Sequence, residues 1–399
     1  MKNFVFISPN FPANYWHFCA ELKRNGMNVL GIGDCPYDQL IPELKDALTE
    51  YYWVPTLENS EAVFRAVAYF TYTYGKINWL ESNNEYWLEQ DAWLRTEFNI
   101  PTGFHTADMH AVKYKSAMKA RYAAAGNKTA RWHMVRDYTG CKDYIDEVGY
   151  PVIVKPDNGV GASHTYKFHN DDELNYFFAT KDNAVSFIME EFVDGTIHTY
   201  DAIVNSVGQP LFETGNVTLC SIMDTVNQNG NAFYYIEKDL PEVIRDAGRR
   251  AVKAFGVKSR FVHFEFFILN HDHPVQGRQG DLLGLEVNMR PSGGFSTDMF
   301  NFANSTDVYK IWADMVAFDG STLSPEGRQR FYCCFCGRRD GLPFAMDHDA
   351  ILRKYGCHLR MVQRMPEALA DAMGNMLYMA TFSTPQERDG FFSDLLAVR

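Results

Sequence analysis

Two hydrophobic runs late in the chain constrain its fold most. Residues 261–269 read FVHFEFFIL and residues 282–290 read LLGLEVNMR, joined by a polar stretch. Aromatic and β-branched residues around a polar connection predict two strands of a hairpin. Side chains alternate across a strand, so Glu286, Asn288 and Arg290 share one face, with Leu285, Val287 and Met289 on the other. On the first run Glu265 shares a face with His263 and Phe267. Paired, the strands bring two carboxylates and an amide carbonyl onto one surface. These are hard oxygen donors suited to Mg²⁺, few enough to leave room for phosphates. Arg290 is placed to clamp a phosphoryl oxygen, and Ser292-Gly293-Gly294 offers backbone donors beside it. The competing account is a pair of amphipathic strands with a solvated polar face.

The segments before this pair are organised around a second cluster. The first hundred residues alternate strands (4–7, 29–32, 77–80) with helices (15–25, 61–72, 87–98), a pattern that predicts a parallel sheet covered by helices. The first turn, Ser8-Pro9-Asn10-Phe11-Pro12, lacks G-x-G-x-x-G, so nicotinamide or flavin binding is not expected. A helix is predicted over 111–125 and another over 142–148. The run YPVIVKP (150–156) is a strand that ends at Lys155, and DNGVGASH (157–164) is a Gly-rich turn into a strand at 165–168. Glycines let a backbone approach an anion while the lysine supplies charge; alone, the hairpin reads equally as a plain β-turn. The run FIMEEFVDG (187–195) is a hydrophobic strand entering an acidic turn, where backbone groups could read a purine edge and a carboxylate a ribose hydroxyl.

Composition narrows the class. The chain has 399 residues and a net charge of −12, so two or three packed units are expected and a dedicated nucleic-acid binder is not. Hydrophobic residues (46%) and charged residues (22%) are in ordinary globular proportion, which excludes wholesale disorder. No run is long enough for a signal peptide or a membrane span, so a cytoplasmic protein with reduced cysteines is expected. Cys333, Cys334, Cys336 and Cys357 fit no standard zinc spacing and read as small apolar residues.

In this order, VIVKP, the Gly-rich loop, EEFVDG, HFEFF and LEVNMRPSGG resemble the ATP-grasp superfamily, and within it most the carboxylate–amine ligases that join amino acids. The resemblance covers about residues 1–320. It implies an α/β chain: a Rossmann-like (pre-ATP-grasp) domain over 1–105, an ATP-grasp domain over 106–320 with a small lid subdomain at about 130–195, and a small α+β C-terminal domain over 321–399. It implies that Lys115 (with Lys113 as the alternative) and Lys155 bind ATP phosphates, and that Gly159, Gly161, Ala162 and Ser163 cover them. Glu190, Glu191 and Val193 match the adenine hinge, the last two through backbone atoms. Glu265, Glu286 and Asn288 match the Mg²⁺ ligands (Mn²⁺ being the substitute), and Arg290 and Lys155 the residues that stabilise the transferring phosphoryl group. The chain departs from the family at Tyr114 and at Ile197, where a ribose-binding glutamate is usual; Glu190 is left as the candidate for the ribose.

The implied reaction phosphorylates a carboxylate with ATP to an acyl phosphate that an amine then attacks. Its partners are small carboxylates and amines, with no nucleic acid or membrane, and a homodimer is compatible with it. Two alternatives stand beside it: an ATP-grasp enzyme acting on bicarbonate, formate or a purine-pathway intermediate, and an ATP-binding protein without ligase activity. The substrate pockets are expected around residues 198–201, 214–218 and 292–295. The polar stretch 221–231 reads equally as a cover over the acceptor site or as a disordered insertion.

Overall fold

The computed structural model describes residues 1–159, 164–219 and 230–399. Gly161, Ala162, Ser163 and most of the 221–231 stretch lie outside these residues.

Four parallel strands form the N-terminal sheet: β1 (Asn3–Ile7), β2 (Asn28–Gly33), β3 (Glu50–Trp53) and β4 (Trp79–Glu81), in the order β3-β2-β1-β4. Helices α1 (Trp16–Arg24), α2 (Pro42–Ala47), α3 (Ser60–Tyr74) and α4 (Leu88–Glu97) connect and cover it. All five residues of β1 are buried, as expected of a strand covered on both faces. Alternate residues enter different cores. Val5 and Ile7 pack with Val63, Val67 and Phe70 of α3, while Phe4 and Phe6 pack with Phe18 of α1 and with Trp312. Trp312 belongs to the helix Val308–Phe318, so a distant part of the chain completes the second core.

A small antiparallel sheet, β6-β9-β7-β8, comprises β6 (Trp132–Val135), β7 (Val152–Pro156), β8 (Tyr166–Phe168) and β9 (Phe187–Glu191). It packs on α7 (Tyr138–Val148) and α8 (Asp171–Thr180) through Cys141, Ile145, Val154, Leu174, Phe177 and Met189.

The central ten-stranded sheet runs β17-β18-β16-β13-β12-β10-β14-β15-β5, with β11 paired to β10. Its strands are β5 (Lys128–Thr129), β10 (Gly195–Val204), β11 (Pro210–Thr214), β12 (Asn216–Thr218), β13 (Ala232–Ile236), β14 (Arg260–Leu269), β15 (Leu282–Asn288), β16 (Tyr332–Arg338), β17 (Leu359–Arg364) and β18 (Met376–Phe382). The C-terminal strands therefore extend the central sheet. Cys333, Cys334 and Cys336 are buried in β16, where burial pushes their thiols up. No helix among the described residues is long and apolar enough to cross a membrane.

The structure differs from expectation in three places. Residues 42–53, unassigned from the sequence, form α2 and β3, and the strand expected at 77–80 begins only at Trp79. The single helix expected over 111–125 is two: α5 (Met109–Lys113) and α6 (Lys115–Ala124), broken at an extended Tyr114 (φ −93°, ψ 121°).

Candidate active site

The break at Tyr114 builds one wall of the site. A helix start leaves backbone N–H groups without partners inside the helix, and here Asp157, just beyond β7, takes them. Lys115 N donates to Asp157 O (2.9 Å) and Ser116 N to Asp157 Oδ1 (2.7 Å), while Ser116 Oγ donates to Oδ2 (2.8 Å). The N-terminus of α6 is thereby pinned to the strand that carries Lys155. Lys115 Nζ lies 3.5 Å from Gly159 O and 3.6 Å from Glu286 Oε1. Lys113 instead turns to Glu85, 2.8 Å from Oε1, which leaves Lys115 as the lysine in the cleft.

One turn further along α6, Lys119 pairs with Glu190, whose other oxygen is 2.8 Å from Lys155 Nζ. All three side chains are buried. Burial alone would raise the Glu190 carboxyl, but the two ammoniums hold it at about 2. Burial works against the Lys155 ammonium, yet Glu190 and Glu286 keep it above its usual value. Lys119 falls below its usual value through burial, with the neighbouring Lys155 charge adding to the effect. Because both Glu190 oxygens face lysines, this carboxylate is already engaged where the sequence left it for a ribose.

Glu191 points elsewhere. Its Oε1 accepts from Arg131 N and its Oε2 from Arg131 Nε, both at 2.8 Å, which ties together the two chain crossings between the sheets. Val193 packs with Ala130, Leu269 and Leu283. Its backbone N–H has no hydrogen-bond partner among the described residues, so an open donor stands just beyond β9.

The third wall is the hairpin β14–β15. Glu265 stands directly across from Glu286, and His263 across from Asn288. A register shift after Glu265 pairs Phe266 with Gly284. Leu285 is then the extra residue, and the bulge keeps both carboxylates on one face. From the other face Tyr122 Oη donates to Glu286 O (2.6 Å), and its ring fills the space above Gly284, where an added Cβ would lie 2.5 Å from it. Burial would raise Glu265, but His263, with Arg290 and Lys155 beyond it, holds it below its usual value. Two carboxylates and an amide carbonyl gathered beside two lysines are a donor set of the kind that holds a hard divalent cation together with phosphates.

Beyond β15, Arg290 lies 3.8 Å from Glu85 Oε2. The preceding carbonyl, Met289 O, accepts from Arg260 Nε (3.1 Å) and Nη2 (2.5 Å). Buried polar atoms gather on this side at the carboxyl ends of β1 and β4. Asn10 Oδ1, Asn14 Oδ1, Asn83 Nδ2 and Glu85 Oε2 have no hydrogen-bond partner among the described residues, Glu85 Oε2 lying only within ion-pair distance of Arg290. In an open parallel sheet that crevice, where strand order reverses, is where ligands bind. The expected pocket residue His198 is not there. It alternates with Ile197 and Thr199, pairs across from Phe266 of the opposite core, and burial drives its imidazole down to about 4.

The structure thus brings Lys115, Lys155, Gly159, Glu190, Glu265, Glu286, Asn288 and Arg290 to one cleft. Sequence reasoning missed Lys119 and Glu85, and reached Asp201 only as the end of the expected 198–201 pocket region. Only Lys119 had a local signal, its four-residue spacing from Lys115.

Comparison with known proteins adds the following. The sequence family for the ATP-grasp domain matches residues 138–293. The chain is similar in structure to an L-amino acid ligase from Bacillus licheniformis, at 16% identity and a TM-score of 0.70, over 98% of this chain and 96% of that one. It is similar to a phosphoribosylglycinamide synthetase from Anaerococcus prevotii at 13% identity and a TM-score of 0.65, over 100% of both chains. It is also similar to an N5-carboxyaminoimidazole synthetase from Staphylococcus aureus, complexed with ADP, at 13% identity and a TM-score of 0.68, over 98% and 97%. At such identities the likeness establishes the fold.

Proposed function

Because this chain carries an ATP-grasp domain, we propose that it is an ATP-dependent ligase that phosphorylates a carboxylate and joins it to an amine, releasing ADP and phosphate. The observation that carries the reading is the convergence of Lys115, Lys155, Glu265, Glu286 and Asn288 on one cleft, with Arg290 beside Glu85 on its far side.

Adenine would lie against the hinge, its edge read by the Val193 N–H and a neighbouring carbonyl. Lys115 and Lys155 would hold the phosphates, taking from them the negative charge that Glu190 and Glu286 now provide. Magnesium or manganese, held by Glu265, Glu286 and the Asn288 carbonyl, would supply positive charge to the phosphate oxygens during transfer. Arg290 would orient the acceptor carboxylate and neutralise charge on the transferring group. Phosphorylation turns a poor electrophile into an acyl phosphate, whose phosphate leaves when the amine attacks. The unpaired atoms of Asn10, Asn14, Asn83 and Glu85 would receive the polar groups of that acid and amine.

The test is ADP and phosphate release by the full chain with amino acids supplied singly and in pairs. Release that needs both a carboxylate and an amine is the expected result. Turnover with bicarbonate alone would move the protein to the carboxylating reading, and ATP binding without turnover under every condition would make it a non-ligase.

A further inference from the structure

One fully buried group on the cleft side of the central sheet has no part in the scheme above. Strands β10 and β14 pair so that Thr199 lies across from Glu265 and Asp201 across from His263. His263 Nδ1 is 2.8 Å from Asp201 Oδ1, and its Nε2 is 3.0 Å from Glu265 Oε1. A carboxylate oxygen thus faces each nitrogen of the ring, which fixes its orientation. Asp201, 0% exposed, is itself fixed: Thr199 Oγ1 donates to its Oδ2 at 2.5 Å and accepts from Asn216 N at 2.9 Å. Gly215 permits this approach, because an added Cβ would meet Thr199 O at 2.2 Å. A hydrogen-bonded chain therefore runs from β12 through β10 and β14 to one oxygen of Glu265.

The other oxygen, Oε2, has no hydrogen-bond partner among the described residues. Glu265 is a long side chain with Lys155 and Arg290 among the charges acting on it. With Oε1 held by His263, Oε2 is kept available beside Glu286.

Resting on the metal assignment given above, we propose that His263 and Asp201 are positioning residues, a rigid clamp that presets Glu265 for the divalent cation. Neither touches the cation. Groups that orient a metal ligand in this way typically set its affinity by about 10–100-fold, and this clamp acts on a carboxylate.

The experiment is Mn²⁺ binding to the full-length protein in the presence of ADP, read by the electron paramagnetic resonance signal of free Mn²⁺. His263→Gln and Asp201→Ala should weaken binding by about 10–100-fold. Asp201→Asn, which retains an acceptor for Nδ1, should recover part of the loss, and Thr199→Val should cost a few-fold. Glu286→Gln separates the possible failures. If it abolishes Mn²⁺ binding while folded Asp201→Ala and His263→Gln bind like the wild type, the clamp is wrong and the metal site stands. If Glu286→Gln also binds normally, the metal assignment falls and the clamp with it. Should Asp201→Ala not fold, His263→Gln and Thr199→Val carry the test, and wild-type affinity in both overturns the proposal.

Discussion

Glu190 is where charge balance in the cleft is decided. One buried carboxylate serves two buried ammoniums, Lys119 and Lys155, so the balance of these three charges depends on it. Removing one partner of a buried ion pair leaves the other uncompensated, at a cost of about 3–5 kcal/mol. Glu190→Gln should lose stability of that order in urea unfolding, and MgADP should restore more stability to the variant than it adds to the wild type. An equal ligand effect on both would mean that the lysines do not face the phosphates. The pH dependence follows from the same pair. The native carboxyl titrates near 2, well below the ordinary 4.5, so its contribution is complete above about 4.5 and disappears as pH falls toward 2. Glu190→Gln should therefore flatten that acid limb.

Among the elements, α6 sets the distance between the lysines and the hairpin. Tyr122 sits on Gly284 and donates to Glu286 O, so helix and hairpin meet with no room for another carbon. Gly284→Ala should cost about 1–3 kcal/mol as an overpacked contact. It should also raise the KM for ATP, because a displaced α6 carries Lys115 away from Glu286. An unchanged KM alongside lowered stability would confine the contact to packing. The hairpin itself was legible in the sequence, since period-2 alternation over nine residues assigns each side chain to a face. The bulge at Leu285 was not, because it depends on the pairing with β14. The break between α5 and α6 was equally hidden. Good helix formers flank Tyr114 on both sides, and the interruption arises from Asp157, forty-three residues away in the chain. Glu85 escaped for the same reason, and Asp201 entered only as part of an expected pocket region: each acts through a partner that only strand register or loop packing brings near.

At the scale of the molecule, the joint between the N-terminal sheet and the central sheet is a buried knot of charge. Arg95 binds Glu81 (2.9 Å) and the carbonyls of Leu80 and Phe104, while Arg260 of β14 reaches Glu81 (3.4 Å) and Met289 O. Asp91 accepts from Ser82 N and Oγ beside them. Burial first, and then the Glu81 charge, raise Asp91 to about 7 from the usual 3.8, with Arg95 opposing. The native state thus holds this proton more tightly than the unfolded chain does, and its advantage declines as pH climbs from about 4 to about 7. Asp91→Asn removes that slope. The stability difference between wild type and variant should change across this window and level off above it, as urea midpoints from pH 5 to 8 would register; parallel curves would place the proton elsewhere. A different consequence follows from the divided packing of β1. Trp312, which helps to cover Phe4 and Phe6, is made about three hundred residues after them. At about 5–20 residues per second, that face of the nascent sheet is covered only in part, by α1 and its neighbours, for roughly 15–60 seconds before the partner helix completes the core.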